Sequence, residues 1–179
     1  MLSKDHQRAS DLIWNLWRQG EITDDLPTGL KPRTRAEGYA IQAGLDARSP
    51  RPRAGWKIAA TSIAGQRHIG VDGPLAGRIL EEFLRPPGAT VSLATNRMRV
   101  AEPEFAFRLG QALPPRERDY SVDEVMAAVA TLHPAIELPD SRFADFAKVG
   151  GPTLIAEAAC ARELILGPAV TSDWRRLDL

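Results

Sequence analysis

The chain is poor in the residues that most readily betray a chemistry: its 179 positions hold one cysteine and three histidines. The single cysteine, Cys160, makes no intrachain disulfide, and without a CxxC partner or an adjacent base it reads as a core thiol and not a nucleophile. His6, His68 and His133 lack metal-pair spacing, and no Gly-x-Ser-x-Gly, P-loop or Gly-x-Gly-x-x-Gly occurs. Zinc hydrolysis, serine hydrolysis and nucleotide binding are set aside on that ground. No apolar run approaches membrane-spanning length, so no membrane partner is expected. Charge of one sign is also lacking: Lys and Arg total 23, Asp and Glu total 23, and no net field recruits nucleic acid. The opening Lys4-Asp5-His6-Gln7-Arg8 is polar, unlike a secretory leader, and with the lone cysteine it points to the cytoplasm. Hydrophobic residues make up 44%, enough for a core, and we expect one domain, with a helical segment over 1–54 and a β-rich part over 55–179.

What is present can be taken in chain order. Ala9, Leu12, Ile13, Leu16 and Trp17 recur at helical spacing before Gly20, predicting an amphipathic helix in which Trp14 and Trp17 pack. Thr34-Arg35-Ala36-Glu37 has capping-box spacing and opens a second helix reaching about Arg48. Residues 55–62 turn strand-like, 69–77 are expected to be a loop with tight turns, and 81–96 to form short strands and turns. A strand over 102–109 is closed by Pro114-Pro115. Ser121-Val122-Asp123-Glu124 opens a helix expected to end at His133-Pro134, followed by a buried strand over 135–138 and a turn capped by Asp140. Helical spacing then covers 153–163, and 164–166 look like a short strand. That strand and the segment 174–179 have no later partner, so we expect earlier strands, another subunit or further chain to complete the sheet.

Chemistry concentrates in Glu102-Pro103-Glu104-Phe105-Ala106-Phe107-Arg108-Leu109. Side chains of a strand alternate, so Glu102 and Glu104 share one face while Phe105, Phe107 and Leu109 line the other. Carboxylates that close repel unless a cation or water separates them, and a hard divalent metal with oxygen ligands is the usual remedy. Taken alone, such a strand more often turns its acids to solvent. Pro103 removes a backbone donor, which marks an edge, a bulge or a strand start. Glu137 stands in an apolar strand, where an acid must be paired, protonated or metal-bound; a salt bridge to Arg142 or Arg99 is the structural alternative. Lys57 lies in an uncharged run, either snorkelling to solvent or placed to bind a carboxylate or polarise a carbonyl. Three glutamates and one lysine are the usable constellation.

The order GWKIAATS, GVDGPLAG, AEPEFAF, HPAIELPDSRF and LIAEAACARELILG resembles the 2-keto-4-pentenoate hydratase branch of the fumarylacetoacetate hydrolase superfamily. The resemblance runs from about Tyr39 to the C-terminus and implies an α+β fold, a mixed β core preceded by N-terminal helices. It implies Mg²⁺ or Mn²⁺ held by Glu102, Glu104 and Glu137, a catalytic Lys57, and substrate contacts at Thr61, Ser62 and Gln66. It further implies a lyase of aromatic-compound catabolism, adding water to 2-oxo or 2-hydroxydienoic acids such as 2-hydroxypenta-2,4-dienoate; the unfinished sheet edges lead us to expect a homo-oligomer. The chain departs from the pattern at Leu75, where these hydratases commonly carry an acidic candidate for proton transfer; an aliphatic side chain relays no proton. Ala59 replaces a glycine, and Ala158 replaces an asparagine of the family's ADNA helix. Leu75 keeps open a 4-oxalocrotonate-type decarboxylase, or a catalytically silent homologue that binds an active partner. Family members continue beyond the point where this chain stops, so an incomplete core is expected.

Overall fold

Ser3 and Gly20 bracket the first helix of the computed structural model, which describes residues 3–176; residues 177–179 of the expected terminal segment lie outside it. Helix α1 (Lys4–Gln19) starts where the Ser3 hydroxyl accepts from the His6 N–H and stops where Gly20 takes a left-handed conformation. Helix α2 (Arg35–Asp46) carries the capping box read from Thr34 and Glu37. The two helices bury Ala9, Ile13, Trp17, Ile41 and Leu45 in one cluster with Leu75, Leu80 and Ile155. The helical segment and the β-rich part therefore share a core.

Two sheets follow. Strands β1 (Arg53–Ala59) and β2 (Leu75–Leu80) form an antiparallel pair. A four-stranded mixed sheet has the order β3-β6-β5-β4, built from β3 (Leu84–Arg85), β4 (Glu102–Leu109), β5 (Val129–Leu138) and β6 (Glu163–Leu166). Only β3 and β6 run parallel. The expected α+β architecture, a mixed β core preceded by helices, is the one observed. Among the described residues no helix is long and apolar enough to cross a membrane.

Several elements differ from the sequence expectation. Short helix α3 (Ile63–Ile69) stands in what read as open chain, with Ser62 capping its start and Gly70 its end. β2 begins at Leu75, inside the expected loop, while the expected strand character over 90–93 is not realised. Helix α4 (Val122–Ala128) ends five residues before His133-Pro134, because Val129 to Leu138 are taken up as β5 between β4 and β6. Val129 to Leu132 satisfy helical and alternating spacing alike, and pairing with β4 decides for the strand. Helix α5 (Gly151–Ala156) likewise ends early. Ala158, Ala159 and Cys160 follow with φ of 63°, 50° and 63°, a buried left-handed turn. Each such alanine or cysteine costs about 1–2 kcal/mol over a right-handed conformation. Among residues with a side chain Asn is one of those that best tolerate that region, which gives the Ala158 departure its physical meaning.

Glu157, between α5 and this turn, is fully buried. Its carboxyl accepts from the Ser141 hydroxyl at 2.5 Å, the Trp17 indole N–H at 3.4 Å and the Arg142 backbone N–H. Burial outweighs those three bonds and pushes its pKa from 4.5 up to about 7. An acid whose pKa is raised by folding contributes stability that is complete below its unfolded pKa and lost as pH rises through the folded one. The loss across that window amounts to about 3 kcal/mol. Replacing Glu157 by Gln should flatten the decline, giving a variant more stable than the parent above about pH 7 in chemical or thermal unfolding.

Candidate metal centre

Strand β1 turns Trp56 and Ile58 to solvent and Lys57 inward, on the face shared with Gly77, Leu75 and Ile79. β2 comes close to the left-handed turn: a β-carbon added at Gly77 would run into the Ala158 carbonyl. A glycine is required there, since the contact is with backbone and neither side can yield. Through this seating the two-stranded sheet delivers Lys57 to the face of the four-stranded one.

On that face the β4–β5 register sets Glu102 opposite Glu137 and Glu104 opposite Ala135. The Lys57 ammonium lies 2.8 Å from Glu137 Oε2 and 3.3 Å from Glu102 Oε2. One oxygen from each of Glu102, Glu104 and Glu137 lies within 4.8 Å of the others, so the three can hold one metal ion. Three carboxylates against one ammonium leave two negative charges, the charge a divalent cation neutralises. Glu137 is 2% exposed, and the Arg162 backbone N–H donates to its Oε1 at 3.4 Å.

The electrostatics follow from this crowding. Burial raises the pKa of Glu137, and Lys57 opposes the shift without cancelling it. Burial also raises Glu104, again opposed by Lys57 and reinforced by Glu102. Burial works against the Lys57 charge too, but the Glu137 and Glu102 carboxylates outweigh it and hold the ammonium form.

The four residues singled out from sequence thus meet at one place. Glu137 pairs with Lys57, and neither Arg142 nor Arg99 fills that role: Arg142 pairs with Asp140 and donates to the Thr95 carbonyl. Asp140 accepts from the Arg97 N–H of a distant segment, while within the turn expected to be capped by Asp140 it is the Ser141 hydroxyl that accepts, from the Phe143 N–H. Thr61 is exposed just past β1. The Ser62 hydroxyl caps α3 by accepting from Gly65, and the Gln66 amide donates to the Ala60 carbonyl. Arg162, which steadies Glu137, carried no signal in the sequence, because its contact is made through the backbone. Leu75 is completely buried in β2 opposite Ala59. The apolar residues of β4 face outward, with Phe105 63% and Phe107 52% exposed, while the acids are half-buried. Lys57→Met should cost about 3–5 kcal/mol at neutral pH by stranding Glu137, and millimolar Mg²⁺ should restore much of it in thermal melts.

No family model matches the chain. A 4-oxalocrotonate decarboxylase of a Pseudomonas species is 33% identical over 113 residues, covering 63% of this chain and 43% of its own length. The 2-keto-4-pentenoate hydratase of Paraburkholderia xenovorans (strain LB400) is 27% identical over 182 residues, covering 100% of this chain and 66% of its own. The chain thus spans between about two fifths and two thirds of the length of these curated relatives. The solved structure of 4-oxalocrotonate decarboxylase from Pseudomonas putida G7, complexed with magnesium and adipate, matches with a TM-score of 0.81 at 22% identity. That match covers 93% of this chain and 64% of that one, and at this identity it speaks for the fold alone. Motif order and relatives agree: the chain is similar to 2-keto-4-pentenoate hydratases and to 4-oxalocrotonate decarboxylase, proteins of the fumarylacetoacetate hydrolase superfamily, and it shares the decarboxylase's fold.

Proposed function

We propose that the chain is a divalent-metal-dependent lyase that hydrates 2-oxo or 2-hydroxydienoic acids such as 2-hydroxypenta-2,4-dienoate. The observation that carries this reading is the convergence of Glu102, Glu104 and Glu137, with oxygens within 4.8 Å, around the Lys57 ammonium. The donor set fits a hard cation: all ligands are anionic oxygens, and the residual charge of two matches a divalent ion. Glu102, Glu104 and Glu137 would hold Mg²⁺ or Mn²⁺, which supplies Lewis-acid polarisation of the substrate's carboxylate and keto oxygens.

Lys57 is the catalytic side chain of this reading. Its ammonium donates a charge-assisted hydrogen bond to the substrate carboxylate or keto oxygen and stabilises the negative charge that develops there. Its inward aim sets the ammonium beside the Glu137 and Glu102 carboxylates, where a metal-bound substrate would lie. Thr61, Ser62 and Gln66 contact the substrate from the start of α3, as extensions of the β1 backbone beyond Lys57. The shared core supports treating 1–54 and 55–179 as one domain. The exposed Phe105 and Phe107 on edge strand β4 support self-association as a homo-oligomer. Cytoplasmic location, and a role in aromatic-compound catabolism, complete the reading.

A decarboxylase reading is favoured by one observation. Leu75 is buried and aliphatic where the hydratases commonly carry an acidic proton-transfer candidate. Mg²⁺ or Mn²⁺ should raise the melting temperature by about 5 °C or more, and Glu104→Gln should erase that shift. Loss of the dienoate chromophore of 2-hydroxypenta-2,4-dienoate identifies the hydratase, and CO₂ release from 4-oxalocrotonate the decarboxylase. Metal binding without turnover of either assigns the silent homologue, and no thermal response to metal defeats the proposal.

A further inference from the structure

Arg162 carries a partly buried charge that the metal centre does not use. Its backbone N–H reaches Glu137, but its guanidinium lies over the rings of Phe83 and Trp17, 4.0 Å and 5.2 Å from their centroids. Among the described residues that guanidinium has no carboxylate partner, and its Nη1 is buried without any hydrogen bond. Partly desolvating a guanidinium that makes no direct ion pair is costly, and stacking on rings returns only part of the cost. Arg142, which is buried in the same region, does have its acid, Asp140.

The surroundings describe what is missing. Arg162 lines a cleft of about 230 Å³ with Trp14, Trp17, Arg18, Glu82 and Phe83. Trp14 and Trp17 stand 6.3 Å apart and tilted, and Trp17 meets Phe83 edge-on at 6.2 Å, so flat faces and edges both border the space. Such walls favour a planar, conjugated body. Two guanidinium groups against the one Glu82 carboxylate leave a single positive charge, which suits a monoanion and disfavours a dianion. The volume admits a ligand of roughly ten non-hydrogen atoms and no more than a small acid.

We propose that this cleft between α1 and the turn at Glu81–Phe83 binds a small planar monocarboxylate, an aromatic or conjugated dienoic acid. Its carboxylate pairs with Arg162 in the forked geometry guanidinium groups favour, and its π-system lies against Trp14, Trp17 and Phe83. The site is separate from the carboxylate triad, and the Arg162 backbone contact with Glu137 joins the two. It stands independently of the reaction proposed above.

Trp14 and Trp17 make the test direct. Titrating the full chain with benzoate, in chelator and without added metal, should quench tryptophan emission saturably with a Kd of about 0.1–1 mM. Trp56→Phe, outside the cleft, should leave that response in place, and Glu104→Gln should leave the Kd within about twofold. Arg162→Gln, checked by circular dichroism for an unchanged fold, should weaken binding about tenfold or more. Benzamide, equal in shape but uncharged, should bind the parent chain about tenfold more weakly, a comparison that requires no variant to fold. Absence of saturable quenching up to about 10 mM benzoate overturns the proposal. So does an equal response to benzamide, or loss of the response in Glu104→Gln, which would put the benzoate at the triad.

Discussion

The contact of the Lys57 ammonium with Glu137 and Glu102 is what the arrangement of this molecule turns on. Three carboxylates gathered on one face of a sheet repel, and a low-dielectric surrounding makes the repulsion worse. Burial alone would drive Glu137 and Glu104 toward their neutral forms, and a neutral acid is a poor ligand for a hard cation. A lysine held among them keeps the site anionic enough to attract a cation and quiet enough to fold around. That balance requires β1 to stand at a fixed distance from β4 and β5, although it belongs to a different sheet.

The backbone behind the site supplies that distance. Gly77 sits against the Ala158 carbonyl, and the turn carrying that carbonyl has three successive non-glycine residues in a left-handed conformation. Glu157 at its start is buried among Ser141, Trp17 and Arg142, joining the turn to α1 and to the strand exit after β5. Strained backbone and a costly buried acid therefore lie in one layer, directly behind Lys57. Such features persist only where the surroundings over-determine them, and they tend to lie near functional sites.

Much of this was legible in the sequence where a residue's meaning is local. The caps at Thr34 and Ser121, the alternation of Glu102 and Glu104, and the isolation of Lys57 and Glu137 each follow from chemistry within a few positions. Failures came where distant pairing decides. Val129 to Leu132 suit a helix until β4 claims them. Ala158 to Cys160 belong to a helical pattern until packing against β2 bends them the other way. Arg162 was silent for a similar reason: its contact with Glu137 is made by the backbone, which every residue possesses.

The outward phenylalanines of β4 have a consequence for how securely the site is encoded. Because side chains alternate, a slip of β4 by one residue against β5 would exchange the two faces, carrying Phe105 and Phe107 inward and the glutamates out. Hydrophobic burial, considered alone, favours that wrong alignment. The native alignment is a frustrated one, kept by ion pairing to a lysine from another sheet against the pull of two aromatic rings. The register of a single strand pair separates an acidic centre from an ordinary greasy core.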